Sequence, residues 1–490
     1  MDGAFERVQE KLVGAWQANR PGSETDHLVV TLPSYSVDAT LLAHYAERLP
    51  ALEQRYLVSI LLLQNPHTRL AYLSCTTPPS YVVDAYLALL PDEIRDDARR
   101  RLTIVGVGDP SPRPLATKVL ARPDLIEHLR QLAGDRPAMV EPWNVTATER
   151  DLAVALGMPL YGAPPELWRL CGKSGGRRLF REEGIPVPPG EEGLRRLEAV
   201  TTAIANLRRD APHLSAAVVK LDDSASGDGN AVIDLEGLPA PGHAGERSAV
   251  GRRLQALPGW YVETLGHQGG VVEARISGED FRSPSAQLTV TPAGEVVVLS
   301  THDQVLGGHA GQVYQGCRFP ADAEYAAEMA RMAAVVGKRL AREGVIGRLA
   351  VDFVAVRGRR GWDLYALEVN LRKGGTTHPF VTAELLLGGE YDPDAATFRD
   401  AGGRPKFYVA TDNLVDRAWR SLDPEQVLGA ILDAGLGFQR STRTGVVPHM
   451  LSGLPIDGRF GLTAMGDSPG QAQELHDRVA EVVQGLAATS

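Results

Sequence analysis

The chain of 490 residues carries 51 basic and 61 acidic side chains, a formal charge of −10, with 43% apolar and 23% charged residues. These are the proportions of a soluble globular protein of about three domains, and they exclude a largely disordered chain or a basic nucleic-acid groove. Only seven of the 51 basic residues are lysine, so a lysine inside a motif is informative.

Three cysteines, Cys75, Cys171 and Cys317, are odd in number and far apart. They offer neither a disulfide framework nor a CxxC metal site, and a reducing cytoplasm is the expected compartment. The opening MDGAFERVQEKLVGAW mixes acids and bases and does not read as a signal peptide. The longest apolar run, LVSILLL at 57–63, falls far short of the roughly 20 residues of a membrane span. Neither a membrane nor a nucleic acid is an expected partner.

Residues 27–165 alternate short apolar runs (HLVVTL, RLAYLS, LTIVGV, AMVEP) with longer amphipathic stretches, which predicts an α/β layer with a mainly parallel sheet. A helix is expected over 174–183, followed by the proline-rich connection EEGIPVPPGEEG. AAVVKL and NAVIDL read as two strands joined by a small-residue turn, with a helix near 246–257. Strand signals dominate 260–300, and the glycine-rich stretch 300–317 reads as a long loop. A helix over 321–343 leads to the strands LAVDFVAV and WDLYALEVN, and the last helix starts at Ser468.

Three partial motifs fail. Cys171-Gly172-Lys173-Ser174 ends like a phosphate-binding P-loop, but Leu167 occupies the position of the required first glycine. Gly106-Val107-Gly108 is a truncated dinucleotide fingerprint whose third glycine position holds Ser111. Gly466-Asp467-Ser468-Pro469-Gly470 spells a nucleophile elbow, yet a capping box of Ser468 and Gln471 with Pro469 at the first helical position explains the same letters.

The strongest chemical signal lies in 349–370. Glu368 and Asn370 are two residues apart and share a strand face. A three-residue turn centred on Arg360 would set Asp352 opposite Glu368 and bring three oxygen donors together within apolar strands. Two carboxylates side by side call for a cation, and hard oxygen ligands favour magnesium over zinc. Solvent-facing carboxylates on a two-sided hairpin are the competing reading. Upstream, Lys220 closes an apolar strand before a loop of Ser224, Ser226, Gly227 and Gly229, whose backbone N–H groups could approach phosphate oxygens. Lys173 precedes a helix with a GIPVPPG tail, and VVEARISGED is a strand, a break and an acidic pair.

These four pieces, in this order, resemble the ATP-grasp superfamily over about 170–380. VEPWNVTATERDLAVALGMPLYG, STHDQVLGG and EVNLRKGGTTHPF are similar to peptide ligases of the pheganomycin type, which carry a large domain before the ATP-grasp fold. The resemblance implies an α/β (α+β in the catalytic part) chain: a Rossmann-like domain over 1–168, an ATP-grasp lid over 169–270, a catalytic subdomain over 271–390 and a C-terminal segment over 391–490. It implies ATP with two magnesium ions as cofactors, amino acid or peptide substrates as partners, and allows a homodimer. Lys173 and Lys220 would bind phosphates together with Ser226, Gly227 and Gly229. Glu273, Ala274 and Ile276 would form the adenine hinge, and Asp280 or Glu279 would take the ribose. YVETLG, with Glu263, is a competing hinge. Asp352, Glu368 and Asn370 would hold magnesium, Arg372 and Lys373 would meet developing negative charge, and His302, Asp303, Gln304 and His378 could line a substrate pocket. The implied reaction is ATP-dependent amide formation through an acyl phosphate. A ligase for a small non-peptide amine and a degenerate ATP-binding protein are the alternatives.

Overall fold

Four short apolar runs in the first third of the chain build one parallel sheet. β1 (His27–Leu32), β2 (Thr68–Ser74), β3 (Leu102–Gly106) and β4 (Ala138–Pro142) lie in the order β3-β2-β1-β4. β1 is buried along its whole length, as expected of a parallel strand covered on both faces. The computed structural model describes residues 2–223, 229–278, 280–307 and 313–489.

The second unit is an antiparallel sheet of β5 (Gly190–Leu194), β6 (Ala216–Leu221), β7 (Asn230–Asp234) and β8 (Gly270–Ala274), ordered β5-β8-β6-β7. Helices Leu197–Asp210, Glu246–Leu254 and Gly259–Gln268 cover it, packing Val200, Ile204, Val250 and Leu265 on Val219 and Val272. The third of these helices corrects the expectation of strand over 260–268. Its aromatic and β-branched residues suggest strand, but Tyr261 and Leu265, one helical turn apart, are the buried pair. The Tyr261 hydroxyl donates to the Val219 and Gly229 carbonyls at 2.9 Å each, which holds the helix across the β6–β7 turn.

The third sheet has eight strands in the order β13-β12-β9-β10-β11-β16-β18-β17. Its ranges are β9 (Phe281–Val290), β10 (Val296–Gly307), β11 (Val313–Phe319), β12 (Gly347–Gly358), β13 (Gly361–Asn370), β16 (Phe407–Val415), β17 (Gly445–His449) and β18 (Arg459–Gly466); β14 (Glu390–Asp392) and β15 (Thr397–Arg399) form a separate pair. Much of the stretch 300–317, expected to be loop, is thus antiparallel strand on both sides. The sheet also runs past residue 390, since β16, β17 and β18 continue it. Helix Ala323–Arg342 packs Met329, Ala333 and Val336 on Leu288 and Phe353. It approaches closely at Gly337, where an added Cβ would lie 2.7 Å from Val296.

The apolar run 57–63 lies in a buried 3-10 helix, Gln54–Gln64, which packs Leu57, Ile60 and Leu61 against Phe380 and Ala383 of helix Thr377–Leu387. This contact joins the first unit to the third. Among the described residues no helix is long and apolar enough to cross a membrane.

Candidate active site

The β12–β13 hairpin places the acidic residues. Gly358 pairs with Gly361, so the turn holds two residues, Arg359 and Arg360, where three were expected. That register alone would carry Glu368 past Asp352. A bulge between Asp352 and Phe353, which leaves Leu367 unpaired, restores the pairing of Asp352 with Glu368. Asn370 donates from Nδ2 to Asp352 Oδ2 at 2.9 Å and to Glu368 Oε1 at 3.1 Å. Gln304 of β10 donates to Asp352 Oδ1 at 2.8 Å. Two carboxylates and two amides therefore face one point.

Lys173 reaches this point from the start of a helix, and Lys220 of β6 lines the same cleft. Asp222 Oδ1, just beyond β6, accepts the Ser174 N–H at 2.8 Å and so ties the start of helix Lys173–Glu182 to the strand that carries Lys220. Lys173 pairs with Glu368. Lys220 lies 2.6 Å from Glu273 Oε2, and Arg177 donates to the other oxygen of Glu273 at 3.0 Å. Glu273, expected in the hinge, is therefore held by its side chain, while Ala274, Arg275 and Ile276 line the cleft where β8 ends.

Burial and then the Glu368 charge push the Asp352 pKa up. Burial also works to raise that of Glu368, but Lys173 overrides it and pulls the carboxyl well below its usual range. Burial opposes the Lys173 ammonium in turn, and Glu368 with Asp352 outweighs it. Lys173 and, in a smaller part, Arg372 serve two half-buried carboxylates. The oxygen donors of Asp352, Glu368 and Asn370 fit a hard divalent cation.

Lys173, Lys220, Glu273, Asp352, Glu368, Asn370 and Arg372 all line one cleft of about 920 Å³. Arg372 lies over the Trp143 ring at 5.1 Å, at the border with the first unit. Lys373 is not brought to the cleft. It is 8% exposed and turns back to Glu141 of β4, 3.3 Å away, because consecutive residues leaving a strand point to opposite sides. Asp280 is also placed elsewhere, 2.6 Å from Arg282 beside the β9–β12 edge, while Ser277, Gly278 and Phe281 take the cleft positions around it. Glu263 is exposed on helix Gly259–Gln268, which removes the competing hinge. Ser226, Gly227 and Glu279 lie outside the described residues, and Gly229 sits at the base of the β6–β7 turn. Of the four pocket candidates only Gln304 lines the cleft. His302 is bonded to the Tyr408 hydroxyl at 2.5 Å, Asp303 accepts from Tyr325 at 2.5 Å, and His378 is buried beside His449.

Sequence reasoning missed four further residues of the cleft: Tyr35, Arg55, Asp412 and Arg459. No local pattern marks them, since they come from segments hundreds of positions apart.

An antiparallel lid bearing one lysine, a helix start bearing another and a hairpin with Asp, Glu and Asn over a shared cleft define an ATP-grasp ligase. A sequence family described as "IQCH-like, ATP-grasp" matches residues 165–255 and 253–374, and one described as "PGM1 C-terminal domain" matches 426–479. The chain is 32% identical over 429 residues to L-propargylglycine–L-glutamate ligase of Streptantibioticus cattleyicolor, covering 86% of each protein. It is 24% identical over 345 residues to IQ motif-containing protein H of Danio rerio, covering 63% of this chain and 31% of that one. Among solved structures, N5-carboxyaminoimidazole ribonucleotide synthetase in its ADP complex superposes with a TM-score of 0.52 at 13% identity, over 94% of this chain and 97% of that one. The synthetase of the same name from Thermus thermophilus does so with 0.50 at 14% identity, over 93% and 98%. These two likenesses are of fold. The chain belongs to the ATP-grasp superfamily, within the pheganomycin-type peptide ligases. It is an ATP-dependent carboxylate–amine ligase that forms an amide bond.

Proposed function

We propose that the cleft joins two amino acids, or an amino acid and a peptide, by activating one carboxylate with ATP and magnesium. The observation that carries this reading is the convergence of Asp352, Glu368 and Asn370 with Lys173, Lys220 and Arg372 on one cleft. The name of the Streptantibioticus relative, an amino acid–glutamate ligase, supports amino acids on both sides.

Ala274 to Ile276 present hinge backbone to the adenine, and Lys173 and Lys220 meet the phosphates. Asp352, Glu368 and Asn370 would hold magnesium, whose chemistry there is to neutralise phosphate charge. Asn370 would do so through Oδ1 after a half-turn of its amide. A substrate carboxylate oxygen attacks the γ-phosphorus and ADP departs, leaving an acyl phosphate. The amine nitrogen then bonds to the acyl carbon, phosphate leaves with the C–O bonding pair, and the amine proton passes to solvent. Arg372, fixed over Trp143, stabilises the negative charge that develops beside it.

The test is a screen of amino acid pairs for amine-dependent nucleotide turnover. ADP with phosphate is the expected product set. AMP with pyrophosphate would mean adenylation and overturn the assignment.

A further inference from the structure

A second wall of the cleft lies outside the ATP-grasp match at 165–374. It is built from the first unit and from β16–β18, and Arg55 is one of its cations. The Arg55 side chain is 17% exposed, stands 2.9 Å from Asp412 Oδ2 and donates from Nε to Met450 Sδ at 3.3 Å. Asp412 is itself nearly buried. Its Oδ1 accepts from His449 Nε2 at 2.7 Å and lies 3.2 Å from His378 Nε2, and the two imidazole nitrogens are 3.1 Å apart.

Two histidines and an aspartate this close could hold a metal ion. The charge count argues otherwise. A divalent ion plus Arg55 against the single Asp412 carboxylate would leave two positive charges uncompensated where the side chains of Asp412 and both histidines are at most 5% exposed. Without the ion, Asp412 and Arg55 offset one another. Burial pushes His378 down to about 4, so its ring is uncharged, and Asp412 carries one negative charge against the guanidinium. Both imidazole Nε2 atoms lie within reach of the same Asp412 oxygen. That carboxylate stands against Arg55, which itself lines the cleft.

On this wall Arg48, Arg55 and Arg459 face Asp412 and Asp457, with Asp457 shared between Arg48 at 3.6 Å and Arg459 at 3.2 Å. The wall as a whole, and not the Arg55–Asp412 pair taken alone, therefore carries one positive charge more than its aspartates offset, which matches one anionic group on a ligand. The acyl-donating carboxylate cannot be that group, because it is consumed beside Arg372. The amine partner's α-carboxylate survives amide formation and is the anion taken here; the second carboxylate of a dicarboxylate acyl donor is the alternative from which the comparison of acid and amide acceptors separates it.

Building on the ligase reading, we propose that Arg55, oriented by Asp412 with His378 and His449, binds the α-carboxylate of an amino acid acceptor and makes the enzyme select acceptors that carry one. The aromatic pair Tyr35–Trp143, with centroids 4.7 Å apart, and Leu41 and Leu52 supply the apolar surface beside it.

The experiment uses the full chain with its best acyl donor and three kinds of amine: the proteinogenic L-amino acids, the α-amides of those that are ligated, and hydroxylamine, which traps the acyl phosphate without needing a carboxylate. Wild-type kcat/KM for a ligated amino acid should exceed that for its amide by about 10- to 100-fold, the worth of a hydrogen bond to a charged group. In Arg55→Met that preference should vanish, and ligation should fall relative to hydroxamate formation by the same protein, while Arg55→Lys should restore part of it. Equal use of acids and amides by the wild type would overturn the proposal without any variant. So would hydroxamate formation with no amino acid ligated, or a parallel loss of ligation and hydroxamate in Arg55→Met. No hydroxamate from any donor would instead sink the ligase reading itself and, with it, this one.

Discussion

Lys173 and Glu368 form an ion pair at the floor of the cleft although 195 positions separate them. The pair exists because Asp222 caps the Lys173 helix from the end of β6, while the bulge at Leu367 turns Glu368 inward. A cation bound there would share this carboxylate with the lysine.

Replacing that carboxylate should separate chemistry from folding. Glu368→Ala should lose on the order of 10²-fold or more in ATP turnover, by analogy with the removal of one charge-stabilising group, while circular dichroism stays that of the wild type. Near-normal turnover would remove Glu368 from the metal site.

Lys373 should behave as a strut. Its Nζ lies 3.3 Å from Glu141 and 5.5 Å from the Tyr56 ring centre, and its N–H donates to the Trp143 carbonyl at 3.1 Å. Lys373→Met leaves Glu141 without its partner and should cost about 3 kcal/mol, as for other broken buried pairs. The double variant with Glu141→Gln should recover much of that loss. A single variant of normal stability with lost turnover would restore Lys373 to the catalytic group.

Acid should destabilise the fold through buried histidines. Burial lowers His302 to about 3 and His378 to about 4. Both are therefore neutral when folded, while the unfolded chain takes up their protons below about 6.5. Their contribution is complete above that pH and is lost as pH falls toward 4, at about 1.4 kcal/mol per pH unit for each. The melting temperature should drop between pH 7 and pH 5, and His302→Gln should shrink that drop. An unchanged drop would mean that His302 is charged or solvated in the fold.

Ser468 should matter for stability alone. Its Oγ accepts the Gln471 N–H at 3.1 Å, and the Gln471 side chain answers to the Asp467 N–H at 2.7 Å, a capping box displaced by one residue. Ser468→Ala should cost about 1 kcal/mol in thermal unfolding and leave ligation intact. Loss of turnover without loss of stability would revive the nucleophile-elbow reading.

Local periodicity made much of the fold legible. The apolar runs at 27–32, 68–74, 102–106 and 138–142 became the parallel sheet, and strand alternation alone forces Glu368 and Asn370 onto one face. The pairing of Asp352 with Glu368 was expected from a turn that is one residue longer than the real one, and the bulge compensates. Helix 259–268 was misread because propensity pointed to strand where Tyr261 and Leu265 packed as a helix.

The lysine-poor sequence by itself marked Lys173 and Lys220, which stand beside a helix start and a small-residue turn that can be recognised over a few residues, but it marked Lys373 along with them. Only the tertiary structure decided what else faces the cleft. It turned Lys373 back to β4, left Asp280 with Arg282, and brought Arg55 to Asp412. The reason is range: helix and strand periods act over two to four residues, whereas the second wall forms where a 3-10 helix of the first unit meets strands near the end of the chain, and no spacing within either segment records that meeting.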